Sequence, residues 1–434
     1  MRHTHLLAAL ALAGLALSGC AAKSPDSPVN PSSAEAGHIV IGPYVQPAGF
    51  DMGKSLNVIW WTDAAGPAVL TWTADGSKAG GSVAAEQTTY EGLTRNVARV
   101  NRARRTGEGI HYVASSTIDG KRYASPSQAA AFTPSKGQSF RFAATGDEGA
   151  GNEAERNIAV QIAAHNPSLV LIAGDVVYGQ GDWAEYRKNL FPQWGDVMRS
   201  VPILPALGNH DVGSPKHRGD PYRHVWTVPD NWSPGDAKGP YTILRRRANS
   251  SEGPLPADQW SLRNYSVDAG GVHFLCLDST ADRDTLANMV VPWAKADLAS
   301  ARKRGQKWIV AFWHHPPYTH GAYRDSSAQW QDMRDLFVPI LKAAGAQIVV
   351  NGHDHTYQHM ELDGIHYIIS GAGGAKLYNV QKDFAGNGQP PIQGFSDAVH
   401  SFTLFDLPAD GREMSVQQID DTGKILDSFT IPHR

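Results

Sequence analysis

The sequence predicts two folded units in tandem, an all-β sandwich followed by a larger α/β domain. Over residues 38–135, short β-prone runs alternate with turn clusters at the spacing typical of an antiparallel sandwich. Over residues 138–434, apolar strands alternate with helical patterns, which is typical of an α/β core. The chain has 434 residues, and that length exceeds what one ordinary hydrophobic core accommodates.

The first unit is predicted from its strands and turns. Candidate strands lie at 56–62, 68–73 and 110–114, and Gly, Asp and Pro mark the turns at 63–67 and 75–81. No cluster of histidines or carboxylates occurs in this part of the sequence. We therefore expect the sandwich to act as a support or spacer.

The second unit shows helical and extended patterns in turn. Four runs are candidate buried strands, at 141–144, 169–173, 307–313 and 347–350. Two runs have helical apolar spacing, at 153–165 and 330–344. In such a core, functional residues lie in loops after the strand ends. The long polar stretch 213–263 is expected to form a rim over the active site.

The N-terminus predicts export. A short basic start precedes an apolar run at 6–17, which is too short to span a bilayer. The run ends in Leu-Ser-Gly-Cys20, which resembles a bacterial lipobox and implies acylation of Cys20. The alternative is an ordinary signal peptide with a chance cysteine. We expect a signal peptide at 1–19, a flexible tether at 20–37, and a chain anchored at the cell envelope. Ala21 favours the outer membrane.

Charge and cysteine content narrow the function classes. The formal net charge is −3, so nothing indicates a non-specific nucleic-acid binder. Membrane contact is expected only through the lipid. The two cysteines are Cys20 and Cys276. With Cys20 lipidated, no intrachain disulfide can form. Cys276, inside an apolar run, is expected to be a small core residue.

Five short motifs follow strand candidates and carry the chemistry. They are Gly146-Asp147-Glu148-Gly149, Gly174-Asp175-Val176-Val177-Tyr178, Gly208-Asn209-His210-Asp211, His314-His315 and Gly352-His353-Asp354-His355. A single Gly-Asp pair after a strand is often only a turn. Together, however, carboxylates, a phenol, an amide oxygen and imidazoles are ligands for iron, zinc or manganese. Two such metals about 3.5–4 Å apart can clamp both oxygens of a phosphoryl transfer.

The set resembles the calcineurin-like metallophosphoesterases, and specifically the purple acid phosphatases. Gly149 stands where that superfamily usually has a histidine, and Tyr178 follows Asp175 by three residues. The stretches 42–46 and 370–374 are also similar to that family. The resemblance implies a fibronectin-type-III-like N-terminal sandwich and an αββα metallophosphoesterase domain.

The resemblance also implies two metal ions. Ferric iron would be held by Asp147, Asp175, Tyr178 and His355. A divalent ion (zinc, manganese or iron) would be held by Asp175 as a bridge, Asn209, His314 and His353. Charges of 3+ and 2+ against three anionic ligands leave the site positive by two, which favours a phosphate ester. Water bound to the metals would lose its proton and act as the nucleophile.

The catalytic residues implied by the resemblance surround this set. His210 is expected to bind phosphate and protonate the leaving oxygen, with Asp211 orienting it. The family has a second substrate-facing histidine where this sequence has Tyr323 and Arg324. His320 could replace it, and Arg324 is the other candidate.

Other histidines are expected to have structural roles. His315 is expected to point away from the metals, because neighbouring strand residues face opposite sides. His359 and His366 are expected to be satisfied core histidines.

The expected activity is hydrolysis of small phosphate monoesters at acid pH. A phosphodiesterase or nucleotide pyrophosphatase is the alternative within the same superfamily, to be decided by the space under the 213–263 rim. From another class, the chain could be a surface lipoprotein that binds a partner and has lost catalysis. The intact ligand positions argue against that role.

Overall fold

The computed structural model describes residues 37–75, 79–102, 109–214, 216–235, 239–244, 251–322, 328–381 and 388–433. Cys20, the signal peptide and all of the tether except Gly37 lie outside these residues, as does Arg324. Within the described residues, no helix has the length and apolar character needed to cross a membrane.

The N-terminal unit consists of strands only. Its strands are β1 (Ile39–Pro47), β2 (Ser55–Thr62), β3 (Ala68–Ala74), β4 (Gly80–Ala84), β5 (Glu86–Tyr90), β6 (Leu93–Asn101), β7 (Gly109–Ile118), β8 (Lys121–Ala124) and β9 (Gln128–Ala131). One sheet has the order β1-β2-β6-β5, and the other has the order β4-β3-β7-β8 with β9 also paired to β7. All pairings are antiparallel.

Alternating side chains of the two N-terminal sheets form one core. Val58 and Trp60 of β2 and Ile110 and Tyr112 of β7 are buried in the same apolar cluster. The Trp60 Nε1 donates a hydrogen bond of 2.9 Å to the Ser116 hydroxyl of the facing sheet. The predicted all-β sandwich is therefore present.

The second unit contains fifteen of the described strands. They are β10 (Phe140–Thr145), β11 (Val170–Ile172), β12 (Ile203–Pro205), β13 (Thr242–Leu244), β14 (Ser251–Pro254), β15 (Tyr265–Ala269), β16 (Val272–Cys276), β17 (Trp308–Phe312), β18 (Ile348–Asn351), β19 (Tyr357–Leu362), β20 (Ile365–Ser370), β21 (Ile392–Ser396), β22 (Ser401–Leu407), β23 (Glu413–Asp420) and β24 (Ile425–Pro432). A six-stranded sheet has the order β12-β11-β10-β22-β23-β24, and a seven-stranded sheet has the order β15-β16-β17-β18-β20-β19-β21. The strands β13 and β14 form a separate hairpin.

Helices follow the strands of both large sheets. The α-helices are Glu153–Ala164, Trp183–Glu185, Phe191–Met198, Asp220–Val225, Arg283–Thr285, Val291–Lys303 and Ala328–Ala344. Tyr186–Leu190 and Leu286–Val290 are π-helical turns, and Ala257–Gln259 is a 3₁₀ turn. The helix at Glu153–Ala164 begins at Asn152, whose side chain caps the Glu155 amide at 3.0 Å.

The two large sheets pack face to face. Phe142 of β10 and Phe274 of β16 meet edge to face, with ring centroids 5.1 Å apart. Ile158 lies in the apolar layer on the outer face of one sheet, and Leu298 and Phe337 lie in the layer on the other. Both sheets are thus covered by helices outside and by each other inside. The second unit has the predicted αββα arrangement.

The N-terminal sandwich packs against the part of the second unit that follows the second motif. The Tyr44 hydroxyl donates to the Val225 carbonyl at 2.8 Å. The Trp61 and Trp183 rings lie 4.9 Å apart, and Trp183 begins the helix that follows Tyr178. This contact supports a site loop as well as linking the two units.

Candidate metal centre

The five motifs lie at the carboxyl ends of parallel strands, on one edge of the two facing sheets. The strands β10, β11 and β12 are mutually parallel, and so are β17 and β18. Asp147 closes the gap between the sheets, because its Oδ2 accepts a 2.7 Å hydrogen bond from the His353 amide. Loops from both sheets therefore meet at one place.

Three of the predicted ligands have left-handed backbone conformations. The φ angles are +58° for Asp147, +52° for Asp175 and +70° for His353. Asp and His tolerate this region better than most residues, yet it remains strained. Each of these ligands follows a glycine and a strand end. The strand thus turns sharply and presents the ligand side chain to the centre.

The glycines of the motifs permit close packing of the loops. A Cβ on Gly208 would lie 2.2 Å from both the amide nitrogen and the Oδ1 of Asp175. A Cβ on Gly352 would lie 2.5 Å from the Asp147 Oδ2, and one on Gly174 would lie 2.6 Å from the His314 Nδ1. These positions accept no side chain without displacing a ligand.

One group of ligand atoms surrounds Tyr178. Its hydroxyl lies 3.0 Å from the Asp147 Oδ1 and 2.8 Å from the His355 Nε2. The His355 Nε2 and the Asp147 Oδ1 are 3.4 Å apart. Asp147 is fully buried, and His355 is nearly so. We call these three side chains the Tyr178 group.

A second group surrounds the Nε2 atom of His314. That atom lies 3.0 Å from the Asn209 Oδ1, 3.2 Å from the His353 Nδ1 and 3.4 Å from the Asp175 Oδ2. We call Asn209, His314 and His353 the His314 group. The side-chain ligand atoms of Asp147, Asp175 and His314 all lie within 4.8 Å of one another, so Asp175 stands between the two groups.

The geometry around the His314 Nε2 fits a cation. The His314 Nδ1 faces the Ala173 carbonyl at 2.9 Å and must donate to it. A neutral His314 then has only a lone pair at Nε2, directed at the acceptor oxygens of Asn209 and Asp175. Lone pairs converge in this way around a cation. Metal–ligand bonds of about 2.0–2.2 Å place adjacent ligand atoms about 2.8–3.5 Å apart, which matches the distances of both groups.

The pKa values of His314 and Asp175 are shifted in the directions expected where a cation binds. Burial lowers the pKa of His314, but Asp175 and Asp147 overcome it and raise the pKa to about 9. Burial opposes ionisation of Asp175, and His314 and His210 nevertheless lower its pKa. A proton on His314 thus occupies the position where a metal ion would bind, and metal binding should release it.

The environment of Tyr178 likewise favours a bound cation. Burial and the nearby carboxylates of Asp147 and Asp175 raise the pKa of its phenol well above the ordinary value. The phenolate form therefore depends on a metal cation.

His210 borders both groups without joining either. Its Nε2 lies 4.0 Å from the Asp175 Oδ2, and its Nδ1 lies 3.1 Å from the Gly179 carbonyl. Its amide donates a 2.7 Å hydrogen bond to the Asp175 Oδ1. The Gly179 carbonyl fixes a proton on Nδ1, so Nε2 is the nitrogen that faces the centre.

The calcineurin-like phosphoesterase family model matches residues 140–357, which is half of the chain and contains all five motifs. The chain belongs to the calcineurin-like phosphoesterase family.

Several proteins similar to the chain are named acid phosphatases. The chain is 28% identical to purple acid phosphatase 15 of Arabidopsis thaliana over 48% of this chain and 41% of that protein. It is 24% identical to the tartrate-resistant acid phosphatase type 5 of Rattus norvegicus, over 68% of this chain and 91% of that protein. The chain spans less than half the length of two Arabidopsis relatives, at 41% of purple acid phosphatase 15 and 49% of purple acid phosphatase 23.

A solved structure shares the fold. The purple acid phosphatase from yellow lupin (Lupinus luteus) seeds superposes with a TM-score of 0.71 at 15% identity, covering 90% of this chain and 74% of that one. At this identity the likeness concerns the fold alone. It extends across both units of the chain.

The described hydrogen bonds of the Asp211 side chain are with the backbone of the ligand loops. Its carboxylate accepts hydrogen bonds from the backbone amides of Gly208, Val176 and Val177, at 2.8, 3.2 and 3.2 Å. Asp211 therefore ties two ligand loops together, and its expected role in orienting His210 stays a prediction. Burial and the charge of Asp175 raise the pKa of Asp211 to about 8.

His320 lies in a buried position against another loop. Its Nε2 donates to the Pro390 carbonyl at 2.8 Å, and its side chain is 2% exposed. None of the contacts described for His320 reaches a ligand of either metal group. Its substrate role stays a prediction, and Arg324 lies outside the described residues.

His315 does not point away as expected. Its ring centroid lies 4.4 Å from that of His353, and both join His314 in a cluster that could hold a metal. The strand β17 ends at Phe312, so alternation no longer applies at this position. The Ser279 hydroxyl contacts the His315 Nδ1 at 2.9 Å. His359 and His366 form a buried pair with a 2.9 Å contact between ring nitrogens.

Proposed function

We propose that the protein hydrolyses phosphate monoesters at a centre of two metal ions held by the seven ligand side chains. The observation that carries this proposal is the pair of ligand groups on either side of Asp175, with His210 beside them. The similarity to acid phosphatases of two kingdoms supports the substrate class.

Each ligand group would hold one ion. The Tyr178 group would hold ferric iron, because a phenolate is a hard anionic donor, and the His314 group would hold zinc, manganese or divalent iron. When bound, the two ions supply positive charge for the phosphate oxygens and lower the pKa of a bound water. Four of the seven ligands, Asp147, Asp175, His314 and His355, are more than nine-tenths buried. Their burial excludes bulk solvent and strengthens the attraction between the ions and the phosphate.

His210 supplies the proton in this proposal. The Gly179 carbonyl holds the ring through Nδ1, and Nε2 faces the centre near Asp175. A phosphate ester held there would present its leaving oxygen to that nitrogen. Proton donation to the leaving oxygen lowers the barrier most for poor leaving groups.

The test compares one monoester with the matching diester. The purified full chain is assayed with p-nitrophenyl phosphate and bis-p-nitrophenyl phosphate, before and after chelation and after readdition of metal. We expect metal-dependent hydrolysis that favours the monoester at acid pH. Preference for the diester would support the phosphodiesterase alternative instead.

A site variant and a matched control complete that test. Asp175→Asn removes the shared ligand charge and should abolish both reactions. Asp406→Asn removes a partly exposed carboxylate that pairs with Arg141 at 2.6 Å and should leave them unchanged. Hydrolysis by Asp175→Asn at the wild-type rate would exclude the proposed centre.

We also propose that the chain is exported and anchored through a lipid on Cys20, with the segment after it as a tether. The lipobox-like sequence supports this proposal. Cys20→Ser should move the protein from the membrane fraction to the soluble fraction without loss of phosphatase activity. A wild-type protein that carries no lipid would refute the anchor alone.

The N-terminal sandwich is proposed to be fibronectin-type-III-like. The two facing sheets, with strand orders β1-β2-β6-β5 and β4-β3-β7-β8, support this assignment. Its contacts to Val225 and Trp183 support a structural role for it.

A further inference from the structure

A loop that contributes no predicted ligand borders the Tyr178 group. It comprises residues 371–381 and follows β20. At one end, the Gly373 amide donates to the Gly146 carbonyl at 3.1 Å and the Ala375 amide to the Asp147 carbonyl at 2.8 Å. At the other end, the Val380 amide donates to the Asp397 carboxylate at 2.9 Å. The loop is therefore fixed at both of its ends.

The middle of this loop contacts His355 in three ways. The Lys376 carbonyl accepts from the His355 Nδ1 at 2.7 Å. The Tyr378 amide donates to the His355 carbonyl at 3.1 Å. The Tyr378 ring stacks on the imidazole, with centroids 4.1 Å apart and planes inclined by 14°.

These contacts restrict different motions of the imidazole. The Lys376 carbonyl fixes the tautomer, so that Nε2 carries the lone pair that faces Tyr178 and Asp147. A single hydrogen bond still permits rotation of the ring about the bond to that acceptor. The parallel Tyr378 ring opposes this rotation because a tilt would break the face-to-face contact.

Other ring contacts within the centre are inclined at larger angles. The rings of His314 and His353 meet at 76°, and those of His315 and His353 meet at 50°. Tyr178 meets His210 at 49°.

We propose that Tyr378 is a positioning residue that holds the His355 imidazole in its ligating orientation and thereby sets how firmly the Tyr178 group retains its metal ion. This inference rests on the proposed function only in taking His355 as a metal ligand. The ring face performs the positioning, so the hydroxyl is dispensable.

The experiment follows metal release from the purified holoprotein. Full-chain wild type, Tyr378→Leu, Tyr378→Met and Tyr378→Phe are placed in excess chelator, and both metals remaining on the protein are quantified over time beside the visible spectrum. Tyr123→Leu is the matched control, because Tyr123 packs edge-on against His38 at 4.6 Å in the N-terminal sandwich.

We expect the two non-aromatic variants to lose the metal of the Tyr178 group about 10–100-fold faster, the usual effect of removing an outer partner of a ligating histidine. The metal of the His314 group should be retained at the wild-type rate, which also reports an intact fold. Tyr378→Phe and Tyr123→Leu should behave like wild type.

Three results would overturn the proposal. Retention of both metals by Tyr378→Leu and Tyr378→Met would show that the stack positions nothing, and equal loss in Tyr378→Phe would assign the effect to the hydroxyl. A wild type that takes up no metal would remove the assignment of His355 itself. A wild type that binds two metals but hydrolyses no phosphate ester would end the proposed function, whereas the effect of Tyr378 on metal release would stand.

Discussion

The Nε2 atom of His314 lies 3.0 Å from the Oδ1 atom of Asn209, although neither atom has a proton to share when His314 is neutral. Two buried acceptors at this distance repel each other unless a cation lies between them. Without metal, a proton on the His314 Nε2 fills this place, because Asp175 and Asp147 raise the pKa of His314 to about 9, and a bound metal ion would displace that proton. Stability of the protein should depend on the metal.

Chelation should lower the melting temperature of the wild type, and readdition of metal should restore it, because a ligand that binds only the folded state stabilises it by mass action. His314→Ala should lose the metal of the His314 group, so its melting temperature should change little when that metal is removed or added. The measurement is a thermal melt of holo and chelated protein. His111→Ala, in an exposed pair with Asp75 in the N-terminal sandwich, should keep the full metal dependence. Equal metal dependence in His314→Ala would exclude this ligand assignment.

Substitution of the proton donor His210 and of the metal ligand His353 should have different effects on metal content and turnover. His210→Ala should keep its metals and lose turnover by about 10²–10⁴-fold, the range for a lost general acid. The loss should be smaller for an aryl phosphate than for an alkyl phosphate. His353→Ala should instead lose the metal of the His314 group and all activity, whatever the leaving group. Metal stoichiometry and rates for the two esters decide between these roles. An equal loss on both esters in His210→Ala would leave it a phosphate-binding residue.

The close approach of the loops predicts a strong effect of a single methyl group. In Gly208→Ala the new Cβ would meet the backbone and carboxylate of Asp175 at 2.2 Å, and overpacking of this kind costs about 1–3 kcal/mol or more. We expect a lower melting temperature and reduced metal content. Gly239→Ala is the matched control, since a Cβ there meets nothing within 4 Å. Normal metal binding by Gly208→Ala would show that the Asp175 loop can move freely.

The buried His273 of β16, with two carboxylates beside it, predicts a pH dependence of stability. His273 is fully buried, with Nδ1 2.8 Å from the Asp268 carboxylate and Nε2 2.9 Å from the Asp297 carboxylate. Burial lowers its pKa, but the two carboxylates overcome this effect and raise the pKa above the ordinary value. A raised pKa means that the contribution to stability is fully present below the unfolded-state pKa and declines as the pH rises through the folded-state pKa.

His273→Gln should therefore destabilise the protein most at acid pH, by roughly 1.5–3 kcal/mol. Asp297 would lose this cationic partner, whereas Asp268 would keep Arg304 at 2.8 Å. The difference from wild type should shrink at alkaline pH, where the wild-type imidazole is also neutral. Thermal melts of both proteins at about pH 5.5 and pH 9.5, either side of the histidine range, provide the measurement. A loss of stability in His273→Gln that increases with pH would contradict this prediction.

Much of the fold could be predicted because the periodic spacing of apolar residues indicates strands and helices. The runs at 56–62 and 169–173 correspond to β2 and β11, and the helix predicted at 153–165 is observed at Glu153–Ala164. The strands β22 to β24 were not predicted, and their place beside β10 depends on pairing across more than two hundred residues. Local patterns contain no information about such pairing.

The ligand positions could be proposed from residue type and order, but their supports could not. The carbonyls of Ala173, Gly179 and Lys376 contact the rings of three site histidines, and backbone atoms have no sequence signature. Asp211 was expected to orient His210, yet the backbone amides beside it satisfy its carboxylate more closely. Alternation placed His315 on the wrong side because the strand ends before it.

Metal content with the visible spectrum tests the central claim most directly. The purified full chain should contain two metal ions, one of them iron, and should absorb visible light through charge transfer from the Tyr178 phenolate. Tyr178→Phe should lose that band and keep the fold, while His353→Ala should keep the band and lose the second metal. A fully loaded wild type with two colourless metals would contradict the iron assignment. A wild type that hydrolyses phosphate esters with no more than one metal per chain would contradict the two-metal centre itself.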